Sequence, residues 1–249
     1  MLTADRVVGA LVLVKAVDVV ARGPVELPGP LWLAVLALWL LGGLALVAAR
    51  GPAAARTGWV AVALGGSGLA VDLPLELWRQ HLVLLVAVAI AALVATNLTE
   101  RLLLWRMQLS VLYGVTAIAK VNESFLGGDV LFGAVVAAPL WSSALPPPPT
   151  ALLIGAGVAL IATELVLAVT PWVARLRRPG TLVAACLHAA AIPLVSTDPL
   201  LALRLVVFGG TAVLLHAASA RLIPIGAGRT PSRVQVQVAS RDLGDTRRV

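Results

Sequence analysis

Only two of the nineteen basic residues in the 249-residue chain are lysines, Lys15 and Lys120, and Lys120 has the surroundings best suited to chemistry. It closes an apolar run in the segment QLSVLYGVTAIAKVNESFLGGDVL, with Thr116 four and Tyr113 seven residues before it. That spacing puts the three side chains on one face of a helix. A lysine held in an apolar pocket loses the hydration of its charged form, which favours a neutral amine able to act as a general base. The competing reading has the same side chain snorkel from a helix end to the headgroup layer. Glu164 and His188 lie inside later apolar runs, where an ionisable group needs a partner or an aqueous cavity. They either help position a polar substrate or bond across neighbouring helices.

The other polar residues have plainer readings. Lys15 and Asp18 stand at i and i+3 and are expected to pair along one helix as a structural contact. Arg204 is expected to pair with Asp198 rather than face an outer cavity, and His216 to lie at the membrane interface. Arg79 and His81 fit a cavity or a solvated loop equally well. Cys186 is the only cysteine, so an intramolecular disulfide and a cysteine-rich metal cluster are excluded, and no metal is expected. No nucleotide loop, zinc spacing or serine-hydrolase elbow is present. NLT at 97 and NES at 122 match the glycosylation sequon, a pattern frequent by chance.

The elements that must position these residues are membrane helices. The hydrophobic fraction is 60% and charged residues are 12%, against about 25% charged in a soluble domain, and mean hydropathy is +0.98. Apolar runs fall near 6–22, 31–49, 57–71, 81–97, 103–121, 150–171, 180–196 and 199–219. A crossing takes about 20 mostly apolar residues. The sequence therefore predicts an all-α, polytopic membrane helix bundle of about eight transmembrane helices, multi-pass in the cell membrane, with the lipid bilayer as its surroundings. The first, third and seventh runs are short or interrupted, so six or seven crossings also fit. Lys15 and Asp18 interrupt the first run and no convincing A-x-A site follows, so the N-terminus reads as a retained helix and not as a signal peptide.

Arginines test the orientation independently. Arg6, then Arg50 and Arg56, Arg101 and Arg106, Arg175 to Arg178, and the tail fall on alternate connections, while the others carry Arg22 and Glu26, then Asp72, Glu76 and Arg79, then Glu123 and Asp129, then Asp198. The alternation predicts both termini to be cytoplasmic. The net charge of +7 is thus a topology signal, and no nucleic-acid partner is expected. Residues 122–149 are too long for a simple turn, yet their apolar part FGAVVAAPLW is too short to span, so the stretch reads as an outer-face interfacial or re-entrant segment ending in the stiff run Pro146–Pro149. Residues 1–220 form the membrane domain, and 221–249 read as a disordered cytoplasmic tail in which VQVQV gives only a weak strand signal. Gly65, Gly66 and Gly68, like Gly155 and Gly157, read as sites of close helix packing.

Gln108, Tyr113, Lys120, Val121 and Asn122, followed by Phe125, Leu126 and Gly128, match a pattern Q-x4-Y…K-[LV]-N…[WF]-L-x-G. A second stretch sets Glu164, the basic loop Arg175 to Arg178, and His188 in order. Both resemble the horizontally transferred transmembrane (HTTM) domain family, bacterial relatives of the vitamin K-dependent γ-glutamyl carboxylase, and the resemblance extends loosely over residues 1 to about 220. It implies a carboxylase-like membrane protein of the bacterial inner membrane that interacts with a reduced quinone, vitamin K or menaquinol. In the carboxylases a lysine deprotonates the reduced vitamin, and the oxygenated quinone then removes a glutamate γ-proton before CO2 adds. By similarity Lys120 is the catalytic base, Tyr113, Thr116, Asn122, Glu164 and His188 bind substrate or support the site, and a peptide is a second substrate. The large soluble region of the carboxylases has no counterpart after the last apolar run, so binding of a quinone or another isoprenoid lipid is the property more readily retained. The alternative that the resemblance implies is a non-catalytic membrane partner for the maturation or export of a secreted peptide. A small-solute transporter would need inverted repeats, and no such symmetry is apparent.

Overall fold

The computed structural model describes residues 3–72, 79–139, 146 and 148–221, with the backbone alone at 79 and 80. The described residues form helices and connections, with no strand among them. In chain order the helices are α1 (Ala4–Arg22), α2 (Gly29–Ala48), α3 (Pro52–Asp72), α4 (Arg79–Val94), α5 (Leu98–Ala119), α6 (Glu123–Leu126), α7 (Asp129–Ala137), α8 (Thr150–Val169), α9 (Arg177–Val195) and α10 (Pro199–Ser219). A 3-10 turn, Ala174–Leu176, precedes α9. Each of the eight apolar runs falls on one long helix.

Five segments are long and apolar enough to cross a membrane: α2, α5, α8, Ala174–Val195 and α10. The apolar part of α4, His81–Val94, is shorter. α1 carries Asp5, Arg6, Lys15, Asp18 and Arg22 within its length. Many large apolar side chains face outward, including Leu33, Leu41, Leu64, Val111, Ile118 and Leu152, as lipid surroundings require and water would not favour.

Helix starts follow local capping chemistry. Asn97 accepts the Glu100 N–H at 2.9 Å, while the Glu100 carboxylate accepts the Thr96 N–H at 2.7 Å, so one exchange satisfies donors at the start of α5. Asn122 caps α6 through the Phe125 N–H at 2.9 Å. Both sequon asparagines are therefore helix caps. Asp198 caps α10 through the Leu201 N–H at 2.9 Å, with Pro199 at the first helical position.

Packing is densest where side chains are smallest. α2 and α3 pack along Gly65, whose position would bring a Cβ to 2.6 Å from the Trp39 backbone nitrogen and 2.8 Å from the Val35 carbonyl. Gly157 also approaches its neighbour closely, at the Phe125 carbonyl, whereas Gly155 faces open space, so the close-packing expectation fails there. At the far end of α3 the buried Asp72 carboxylate accepts the N–H groups of Glu26 at 2.9 Å and Leu27 at 2.7 Å, tying the α1–α2 connection down. α10 lies centrally: it packs on α1, α4, α5 and α9, which brings the last helix back to the first.

The stretch 122–149 contains two short helices, α6 and α7, and α7 packs on α8 and α9. The polyproline run is described only in part. Glu76, the Arg79 side chain, and the tail from 222 with its VQVQV segment lie outside the described residues.

Candidate functional site

Lys120 is the C-cap of α5, and its aliphatic stem lies back over the preceding turn, as helix geometry directs. Nζ donates to the Thr116 carbonyl at 3.3 Å and lies 2.8 Å from each carboxylate oxygen of Glu164 on α8. The pair is partly sheltered, with side-chain exposures of 23% for Lys120 and 10% for Glu164. The Phe125 ring centroid, supplied by α6, stands 5.9 Å from Nζ. The amine is therefore not a lone base in an apolar pocket, nor does it reach free into headgroups. It is half of an interhelical ion pair, and any base chemistry belongs to the pair.

Tyr113 lies two turns earlier on α5 and is buried. Its hydroxyl is 2.9 Å from His188 Nε2 on α9. Tyr113 and Lys120 stand seven residues apart on one face of α5, so the two hydrogen-bonded pairs lie in one sector formed by α5, α8 and α9. Thr116 contributes its backbone carbonyl to Lys120, while its hydroxyl donates to the Tyr113 carbonyl at 3.1 Å. Asn122 does not join the cluster. It is exposed, its amide donates to the Ala119 carbonyl at 2.9 Å, and it is committed to capping α6.

Two further residues enter that the sequence reading did not place there. His216 was expected at the interface, but it is 1% exposed and its ring stands 5.6 Å from the Tyr113 ring. Neither of its ring nitrogens makes a hydrogen bond. Only its position within an apolar run could have marked it as buried. Phe208 lies between His188, at 5.6 Å and edge-on, and His81, at 5.2 Å, so His81 is a buried residue of the bundle.

A second ionic cluster surrounds Asp18 in α1. Lys15 Nζ lies 2.5 Å from one carboxylate oxygen, and Arg204 Nε and Arg22 Nε lie 2.7 Å and 3.3 Å from the other. The i,i+3 pair expected between Lys15 and Asp18 is present. Arg204 reaches Asp18 across the α1–α10 contact at hydrogen-bonding distance, a partner that sequence proximity to Asp198 did not indicate.

Chemically, the α5–α8–α9 sector offers a carboxylate and an amine that can exchange one proton, next to a hydroxyl–imidazole pair. No group of three or more His, Cys, Asp and Glu side chains among the described residues is arranged to hold a metal ion. Set against known proteins, the chain matches no family model, no curated protein and no solved structure.

Proposed function

We propose that the chain is a multi-pass protein of the cell membrane with eight crossings and cytoplasmic termini, in which the Lys120–Glu164 pair acts as the base toward a reduced quinone. The eight-crossing topology is supported by the eight long helices and by the short connections 23–28, 49–51 and 95–97, whose lengths suit antiparallel neighbours. It is further supported by the alternation of arginine-rich and acidic connections.

The observation that carries the chemical reading is the ion pair itself, 2.8 Å at both oxygens and joining two helices beside Tyr113 and His188. Its donor set suits a hydroquinone: a carboxylate and an amine for a hydroxyl group, with the Phe125 ring as an apolar wall. Lys120 and Glu164 would hold that hydroxyl, and a bound vitamin K or menaquinol supplies an acidic O–H together with reducing equivalents. Glu164 takes the proton that Lys120 carries, which frees the amine to accept another. Tyr113 and His188 orient the cluster from the buried side. The motif around Lys120 adds the resemblance to the HTTM family, and with it the carboxylase-like activity and a peptide substrate.

The test is dioxygen-dependent oxidation of menaquinol in vesicles loaded with it. Lys120→Ala and Glu164→Gln should each abolish turnover while leaving the protein folded and inserted. Full turnover in Lys120→Ala would refute the base assignment.

A second reading is favoured by one feature: the ion pair uses both functional groups on each other. On that reading the pair is an interhelical tie, and the protein is a non-catalytic membrane partner for maturation or export of a secreted peptide. Co-purification with a peptide, unaffected by Lys120→Ala, would support it.

A further inference from the structure

The loop between α8 and α9 is pinned against α5. Trp172 Nε1 donates to Ser110 Oγ at 2.6 Å, and that hydroxyl donates to the Ala168 carbonyl at 2.6 Å. Arg106 precedes Ser110 by four residues and so lies on the same face of α5, one turn away. The ring contact between Tyr113 and His216 fixes α10 against α5 at 5.6 Å, which carries Arg221, just past the end of α10, toward the same turn. Arg177 opens α9 with its Nε donating to the Pro171 carbonyl at 3.0 Å. Arg106 is partly withdrawn from solvent, Arg177 and Arg221 add positive charge near it, and its Nε is buried without a hydrogen-bond partner.

Like charges brought together at the edge of a low-dielectric region repel strongly. They are stable together when an anion lies among them. A guanidinium fork matches the oxygens of a phosphate, and basic pockets between membrane helices suit anionic headgroups. Beside the arginines Trp172 is 44% exposed and Leu176 41%, an apolar surface with a tryptophan at the level where interfacial aromatics gather.

We propose that Arg106, Arg177 and Arg221 form a binding site for the phosphodiester headgroup of an anionic phospholipid, whose acyl chains lie on the apolar surface at Trp172. Free phosphate shares the headgroup chemistry but makes no use of that surface, which favours the lipid. The inference rests on the membrane reading above and is independent of the quinone chemistry.

The test is native mass spectrometry of the purified full chain, released from nanodiscs of phosphatidylcholine with or without phosphatidylglycerol. The unsubstituted protein should retain phosphatidylglycerol selectively. A basic residue near an anionic surface contributes about fivefold, so Arg106→Gln with Arg221→Gln should lower that preference about 25-fold. Arg50→Gln with Arg56→Gln, which removes two exposed arginines, one in the α2–α3 connection and one early in α3, should leave it intact. An undiminished preference in the Arg106/Arg221 variant, or an equal fall in the Arg50/Arg56 variant, overturns the site. Displacement of the lipid by an equal concentration of inorganic phosphate overturns the lipid assignment. If the double variant does not fold, Arg177→Gln alone decides: a fall of about fivefold supports the site and no fall overturns it. Failure of the unsubstituted chain to enter nanodiscs of either composition would defeat the membrane reading itself.

Discussion

Replacing Asp18 by Asn tests how the bundle tolerates charge. The carboxylate is 1% exposed and neutralises Lys15, also 1% exposed, at 2.5 Å, with Arg204 Nε 2.7 Å from its other oxygen. Asparagine keeps the shape and removes the charge, which leaves the Lys15 ammonium buried without its counter-charge. Breaking a buried pair in this way costs about 3–5 kcal/mol, whereas an exposed pair contributes about 0–1 kcal/mol. Burial decides between the two, and the larger figure is expected. The reverse substitution differs. Lys15→Met leaves Asp18 with both arginines and should cost only about 1 kcal/mol. In the double variant the buried ammonium is gone, so part of the loss from Asp18→Asn should be recovered, the remainder coming from Arg204, which loses the same carboxylate. Unfolding in mixed micelles, driven by a denaturing detergent and followed by far-UV circular dichroism, measures all three. A loss below about 1 kcal/mol for Asp18→Asn, or a loss for Lys15→Met as large as that for Asp18→Asn, would refute the reasoning.

Further outcomes follow from the geometry. Gly65→Ala puts a methyl group against the backbone of Trp39 and Val35, which cannot move aside, and should cost about 1–3 kcal/mol in the same unfolding assay. Gly155→Ala meets open space and should be neutral or stabilising by up to about 1 kcal/mol through helix propensity. Asp72→Ala strands the Glu26 and Leu27 N–H groups, with an expected loss of about 1–3 kcal/mol and faster proteolysis of the α1–α2 connection. The Leu201 N–H holds the exposed Asp198 carboxyl below its ordinary range. A depressed value in the folded chain means that its stabilising effect is present above the unfolded value and is lost as pH falls through the folded one. Thermal melts across the acid range should therefore show a pH-dependent loss that Asp198→Asn, which retains a cap, flattens.

The helices were legible in the sequence because eight apolar runs punctuated by arginine, glycine and proline leave little else for a backbone in hydrocarbon to do. Lys120, Tyr113, Glu164 and His188 were legible for a related reason: ionisable or hydroxylated side chains inside apolar runs stand out against leucine, valine and alanine. Asn122, next to a chemically interesting lysine, has a structural role the sequence reading did not assign to it: it starts a helix by accepting the Phe125 N–H.

Pairing was not legible. Periodicity fixes which face of a helix a residue occupies, but the partner across the interface depends on rotation and depth, and these are set by how small residues such as Gly65 let helices approach. Only packing between helices set Lys120 against Glu164, brought Arg204 to Asp18 and placed His216 against Tyr113. The sequence by itself determined an apolar helical chain and the few polar residues it carries inward. Which of those residues neutralise one another was left to packing, because a charge in a low-dielectric interior responds to distance, and distance between helices is written in no single segment.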